Sequence, residues 1–353
     1  MVYGAIVTGA AGFIGSHLVD FLLARDDVAR VIAIDNFCPY VGLSQDETLQ
    51  VKLSNLKHAR SSPKFQLLPR DILDVDLALV ASQMKAFLGL IGGELHILVF
   101  HLAASAGVRA SIKDAKGYAT NNVQATTHLL EGAADAQVCA FVLASSSSVY
   151  GNRPVVHDTK PGAKDAILKA FHEGDHTDLP ISPYAATKKA TELMAYTFHV
   201  NHGLPVACMR LFSVYGPRQR PDLAIHKFMR CILDGLPIDI YGDGTMERDY
   251  TYVADVVKGL WEAALAIPAH GYKVWNLGNS SPIQLLPLVH TIEEVVGLAK
   301  GSHPLNFLPI PEGDVARTCA DVSEASYDFG YAPSCALKEG LGEEWTWLVG
   351  TKL

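Results

Sequence analysis

No two cysteines of this 353-residue sequence form a CxxC pair, and the six present (Cys38, Cys139, Cys208, Cys231, Cys319 and Cys335) are spread along the chain. That usage excludes a disulfide scaffold and predicts reduced, mostly buried thiols in a cytoplasmic protein. Charge is also sparse: 19% of residues, with 29 Lys plus Arg against 37 Asp plus Glu and a net charge of −8. No basic run offsets this balance, so neither nucleic acid nor an anionic membrane is expected as partner. A local cationic pocket for a phosphorylated small molecule is compatible with it. Long apolar runs are missing too. The most apolar internal stretch, Ile97 to Val108, is interrupted by His101 and Gly107, well short of the roughly 18–20 residues of a membrane span. The opening MVYGAIVTGAAGFIGSHL lacks a charged segment followed by an apolar one and runs from a strand pattern into a glycine turn. It is expected to start the fold rather than serve as a leader.

What is present is a large apolar fraction, 49% of residues, enough to bury a core and to exclude disorder. The length exceeds what one core usually supports, so a large unit or two joined domains are expected. Short apolar runs at Ala5–Val7, Val31–Ile34, Phe65–Leu68, Ile97–Leu102, Ala140–Leu143 and Val206–Leu211 predict buried parallel strands. Helical spacing lies between them, at Ile14, Leu18, Phe21 and Leu22, at Val123, Leu129 and Leu130, and over Tyr184 to Val200. This alternation predicts an α/β fold with a doubly wound parallel sheet. Beyond Phe212 repeated prolines loosen the rhythm. The expected division is a nucleotide-binding domain over residues 1–212 and a smaller α/β substrate-binding domain over 213–353, partly interleaved with the first. Gly151 to Pro183 is a long polar connection, a kind of segment that is usually functional.

After the first strand comes VTGAAGFIG, with glycines at Gly9, Gly12 and Gly15 at the opening of a helix. Gly9 allows the tight turn, Gly12 lets backbone N–H groups approach a pyrophosphate, and Gly15 lets the helix pack closely, as in a Rossmann-type site for NAD. Phe13 and Ile14 belong to the same turn. Asp35 ends the second strand, twenty residues after Gly15, with Asn36 next to it. A carboxylate there accepts hydrogen bonds from the adenosine ribose and opposes a 2′-phosphate, which favours NAD over NADP. Asp71 and Ile72, after the third strand, are expected beside the adenine, and Leu102, Ala103 and Ala104 close the fourth strand near the cofactor.

Tyr184 and Lys188 stand four residues apart on a predicted helix and share a face. A free phenol titrates near ~10, but a neighbouring lysine and a positive nicotinamide would bring it toward the range of a general base. The strand Ala140–Leu143 runs into Ser145, Ser146, Ser147 and Ser148, hydroxyls expected at the carboxyl end of the sheet, where ligands bind.

TGAAGFIGSHL, HLAASAGVRAS, SSSSVYG, SPYAATKKATE, RLFSVYGPRQRPDLA, YGDGTMERDYTYV, WNLGNSSPIQL and EGDVARTCADVS together resemble the nucleotide-sugar epimerases of the extended short-chain dehydrogenase/reductase family, most closely the UDP-glucuronate 4-epimerases. The resemblance implies that Tyr184 removes the proton of the sugar C4 hydroxyl. It likewise implies that Lys188 holds the nicotinamide ribose and lowers the tyrosine pKa, that Ser146 bonds the sugar oxygen, and that Asn121 and Phe212 lie on the cofactor side. Arg220, Arg248 and Asp314 resemble nucleotide-gripping residues. Arg109, Ser147, Ser148 and Ser213 resemble a cluster that would receive a C6 carboxylate, Arg109 being open to a structural ion-pair role instead. Related dehydratases and decarboxylases carry acids in the strand-end motif, whereas this chain has Ser147 and Ser148, which points to epimerisation. Ser213 stands where threonine is common, Cys319 where an aromatic is common, and the Gly151–Pro183 connection is longer than in typical relatives. A homodimer through helices near Asn121–Ala136 and Tyr184–Val200 is also implied.

Three other readings stand beside this one. UDP-glucose is the alternative sugar. His172-Glu173-Gly174-Asp175-His176 satisfies the HExxH zinc pattern, weakened by two poor helix formers and by the lack of a third ligand, so no metal is expected. A noncatalytic NAD-sensing module would have no need of Tyr184 and Lys188.

Overall fold

The computed structural model describes residues 1–89, 95–152, 170–311 and 313–351. Seven strands, β1 (Val2–Thr8), β2 (Val28–Ile34), β3 (Phe65–Leu68), β4 (Leu95–His101), β5 (Ala140–Ser146), β6 (Val206–Leu211) and β7 (Tyr272–Leu277), form one sheet in the order β7-β6-β5-β4-β1-β2-β3. Every pairing is parallel. Alternate side chains feed two cores. Ala5, Val7 and Phe100 face helices α1 (Phe13–Leu23) and α5 (Val253–His270), while Ile6, Val99 and Phe141 face α2 (Leu77–Gly89), α3 (Ala125–Asp135) and α4 (Pro183–His202). A sheet buried on both faces needs apolar residues at consecutive positions, which is why its strands read as runs rather than as alternation.

The six strands expected from the sequence all form. The seventh was not anticipated: YKVWNL mixes polar and apolar residues and follows Pro268, yet α5 carries Pro268 inside its last turn. Its register against β6 pairs Trp275 with Met209 and Leu277 with Leu211. The chain beyond residue 212 therefore returns to the main sheet. A smaller lobe has its own core, where Tyr215, Phe228, Ile238, Leu288 and Leu341 meet. Of the long polar connection, 153–169 lie outside the described residues, and 170–182 run in extended and turn conformation. All six cysteines are free. Among the described residues no helix is long and apolar enough to cross a membrane.

Strand order reverses between β1 and β4, and the crevice of such a sheet opens at the strand carboxyl ends there. His101, at the end of β4, locks this point: its ring nitrogens lie 2.7 Å from the Thr8 hydroxyl and 2.8 Å from that of Thr126. Burial, with Lys188 adding to it, pushes its pKa down from 6.5 to about 3. The native imidazole thus stays neutral where the unfolded chain takes up a proton, and stability is lost as pH falls below about 6.5 toward about 3. At about pH 5 the loss from His101 is about 2 kcal/mol. The urea midpoint is expected to drop between pH 7 and pH 5, and to drop less in His101→Gln. Equal drops in both proteins would assign the acid lability elsewhere.

Candidate active site

A cavity of about 810 Å³ lies along the carboxyl ends of the strands, lined at one end by Gly9, Gly12 and Asp35 and at the other by Ser146, Tyr184 and Arg248. Gly9 has φ +65°, and a Cβ there would stand 2.7 Å from the Ala103 nitrogen. A Cβ on Gly15 would run into the Gly9 carbonyl oxygen. The turn is thus a cradle that side chains would fill. Gly12 caps α1 with no side-chain hydrogen bond, and no acid occupies the first turn, so the positive start of the helix is open to an anion. Phe13 and Ile14 line the same wall. These features fit the pyrophosphate of a dinucleotide.

At the adenosine end Asp35 is buried and well occupied. It accepts from the N–H groups of Ala11 (3.0 Å) and Phe37 (2.8 Å) and pairs with the Lys52 ammonium at 3.0 Å. Lys52 sits on the helix Gln45–Asn55 and was not singled out by the sequence, since nothing in its spacing announces a partner seventeen residues away. Asn36 donates to Asp71 at 2.8 Å, and Asp71 also caps the short helix at Ile72. Asp71 and Ile72 line the cavity, as do Leu102, Ala103 and Ala104. The Ala103 N–H donates to the Thr8 hydroxyl at 3.2 Å.

The other end gathers the reactive groups. Ser182 caps α4 by accepting from the Ala185 N–H at 3.2 Å, and Pro183 fills the first helical position. Tyr184 follows, and it lines the cavity together with Ser146. Burial raises its pKa. The Ser146 side chain and then the Arg220 charge oppose that rise. Lys188 is buried and donates to the Ala144 carbonyl at 2.7 Å, and burial brings its pKa down to about 8. The Ser146 hydroxyl accepts the Ser148 N–H at 3.1 Å and donates to the Ser148 hydroxyl at 3.1 Å.

Asn121 lies in a widened helical turn, Ala119–Gln124, of the kind that recurs at functional sites. It lines the cavity and donates to the Ser105 hydroxyl at 2.9 Å. Its neighbour Asn122, not foreseen, does the buried joining: it accepts from the Ser105 N–H at 2.8 Å and donates to Thr187 at 3.0 Å. Phe212 lines the cavity while packing below against Tyr150.

Arg109 donates to Asp314 at 2.8 Å and lies 4.3 Å over the Tyr241 ring. Of its two sequence readings, the structure supplies an ion-pair partner. Arg248 lines the same end and is buried, which lowers its pKa. Arg220 binds Asp222 through two contacts of 3.1 and 2.9 Å. Ser147, Ser148 and Ser213 also reach the cavity. HEGDH lies outside it, on a turn rather than a helix. There the Glu173 carboxylate accepts the Asn276 N–H at 2.7 Å, His172 accepts the Gly174 N–H at 3.0 Å, and His176 faces Asp178 at 3.7 Å. The helical spacing that a zinc pair would need is absent from this turn.

The chain matches the NAD dependent epimerase/dehydratase family over residues 5–278. It is 34% identical to a UDP-glucuronate 4-epimerase of Thermodesulfobacterium geofontis, covering 97% of this chain and 95% of the relative. It is 38% identical to UDP-glucuronate 4-epimerase 1 of Arabidopsis thaliana, covering 98% of this chain and 76% of the relative. A crystal structure of UDP-glucuronic acid 4-epimerase from Bacillus cereus, in complex with UDP-glucuronic acid and NAD, superposes with a TM-score of 0.84 at 33% identity, covering 98% of this chain and 99% of that one. By sequence and by fold, this chain belongs to the NAD-dependent epimerase/dehydratase family.

Proposed function

We propose that this chain is an isomerase that inverts C4 of a UDP-sugar with NAD as its cofactor, and that the sugar is glucuronate, converted to galacturonate through a 4-keto intermediate. One observation carries this reading: Tyr184 and Ser146 share a cavity with the uncapped glycine turn of α1. The relatives and the B. cereus complex supply the substrate class. When bound, NAD takes a hydride from the sugar C4 and returns it to the opposite face. Tyr184 accepts the proton of the C4 hydroxyl and gives it back, while Ser146 holds that oxygen. Lys188, anchored on the Ala144 carbonyl, faces the cofactor ribose. Arg248 and Asp314 take the nucleotide end.

A 4-keto uronate is a β-keto acid and loses CO2 when its C5–C6 bond aligns with the carbonyl π system. An epimerase must hold the carboxylate out of that alignment. The hydroxyls of Ser147, Ser148 and Ser213, which line the cavity, are assigned this role, each bond to the charged group being worth about 1.5–3 kcal/mol. Two arginines are candidates for the cation. Both are paired in the ligand-free protein, Arg220 with Asp222 and Arg109 with Asp314; because Asp314 is assigned to the nucleotide end, Arg109 is assigned to closing that side. Arg220, whose charge bears on Tyr184, is assigned to the sugar.

Leu193, Tyr196 and Val200 form an exposed apolar stripe on α4, which supports a homodimer built on α3 and α4. The free thiols favour a reducing, cytoplasmic setting.

Tyr184→Phe is expected to keep its melting temperature and bound NAD while kcat falls by about 10²–10⁴; near-normal turnover under rate-limiting chemistry would remove Tyr184 from the role of base. NMR and mass spectrometry of wild-type reactions should show UDP-galacturonate from UDP-glucuronate with no pentose product, and Arg220→Ala should weaken substrate binding more than Arg109→Ala. Epimerisation of UDP-glucose alone would return the protein to the neutral-sugar reading, and the reverse order of the two arginines would restore Arg109 to the carboxylate. In sedimentation, wild type should run as a dimer and Tyr196→Glu as a monomer; a monomeric wild type refutes the α4 interface.

A further inference from the structure

The HEGDH turn is spent on neither metal nor substrate, yet it is bound tightly to the back of the serine turn. Phe171 forms an isolated bridge with Ala320: its N–H donates to the Cys319 carbonyl at 2.8 Å, and its carbonyl accepts from the Asp321 N–H at 2.9 Å. Its ring stacks on Tyr150 at 4.7 Å and 19°. The Tyr150 hydroxyl donates to Asn276 at 2.6 Å. Asn276 in turn donates its side-chain amide to the Phe171 carbonyl at 2.8 Å and its backbone N–H to Glu173 at 2.7 Å. Arg210, whose guanidinium lies 4.8 Å over the Tyr150 ring, donates to the Glu173 carbonyl at 3.1 Å. Tyr150 ends the short helix Ser147–Tyr150, which Ser146 caps. A strap of three residues thus fastens the far end of the turn whose near end carries Ser146.

We propose that Phe171 and Glu173 are positioning residues for the serine turn, fixing Ser146, Ser147 and Ser148 against Tyr184 so that the 4-keto sugar is held for hydride return rather than for loss of CO2. The physical reason is leverage. The turn is one short helix, free on its cavity side, so its orientation depends on what grips Tyr150 from behind. A misplacement of about 1 Å at reacting groups costs up to about 10²-fold in rate. In the failing branch the C5–C6 bond breaks, its electron pair enters the C4 carbonyl as an enolate, CO2 leaves, and the enolate takes a proton from water at C5. The sugar departs as UDP-4-keto-pentose and the cofactor is left reduced.

The proposal rests on the glucuronate reading for its product ratio but not for its rate effect, and the test separates them. Holoenzyme is prepared as wild type, Glu173→Ala, Glu173→Gln and Phe171→Leu. Gln retains a carbonyl acceptor for the Asn276 N–H, and Leu retains apolar bulk without the stacked ring. Glu173→Ala and Phe171→Leu are expected to lower kcat about tenfold with KM within about twofold, and to release UDP-4-keto-pentose, read by mass spectrometry together with absorbance of the reduced nicotinamide. Glu173→Gln is expected to restore wild-type values. Wild-type kcat and product ratio in both Glu173→Ala and Phe171→Leu, with only the melting temperature lowered, would reduce the strap to a stabilising element and overturn the proposal. So would a Gln variant as impaired as the Ala variant. Should Glu173→Ala not fold, Phe171→Leu and Glu173→Gln decide by the same criteria. If wild type ignores UDP-glucuronate, the substrate reading fails by itself, and the strap is judged by the kcat and KM of the same variants on UDP-glucose.

Discussion

The geometry of the reactive groups depends on one buried ion pair. Glu192, two turns along α4 from Tyr184, accepts from two of the three nitrogens of the Arg210 guanidinium on β6, each at 2.9 Å, and from the Ser145 hydroxyl on β5 at 2.7 Å. Ser145 is the residue before Ser146, so this carboxylate ties the helix that presents the phenol to the strand that presents Ser146. A buried pair of this kind gains little net stability over an apolar filling, but loss of one member leaves an unpaired charge and costs about 3–5 kcal/mol. Its value here is register: α4 can neither slide nor roll on the sheet without breaking bonds to two strands at once.

Around that anchor the cavity is assembled from parts far apart in the chain. The glycine turn and α1 supply a positive helix start, α4 and β5 the phenol and serine, and the smaller lobe Arg220 and Arg248. The electrostatics follow from the burial of the titratable groups. Burial raises the Tyr184 pKa and lowers that of Lys188 to about 8, so neither group is charged at no cost in the ligand-free protein. Charges arriving with the ligands therefore act in a poorly screened space. That is the condition under which a phenol can change its protonation state within the catalytic cycle.

Local order was legible from the residues. The Gly9–Gly15 turn, the Asp35 position and the Tyr184–Lys188 spacing are short-range patterns whose meaning is set by helix and strand periods, and six strands were readable because a doubly buried sheet demands apolar runs. β7 was not, because YKVWNL is half polar: the Asn276 side chain and the Glu173 carboxylate satisfy polar groups that the sequence shows only as interruptions. Lys52 and Asn122 escaped for a similar reason. A lysine on a polar helix and one of two adjacent asparagines acquire meaning only once Asp35 and Thr187 are brought beside them.

The sequence by itself determined the class of fold, the glycine turn and the shared helix face of Tyr184 and Lys188, since each is written in spacings of a few residues whose meaning the helix and strand periods set. Tertiary structure alone decided the partners of the charges. Arg109 meets Asp314, Lys188 meets the Ala144 carbonyl, and a turn with a zinc-like motif binds Asn276 and Arg210. The reason is physical. A side chain's local period determines which face it occupies, but its electrostatic partner is whatever the packing of distant segments places within a few ångströms, and no single-chain pattern encodes that distance.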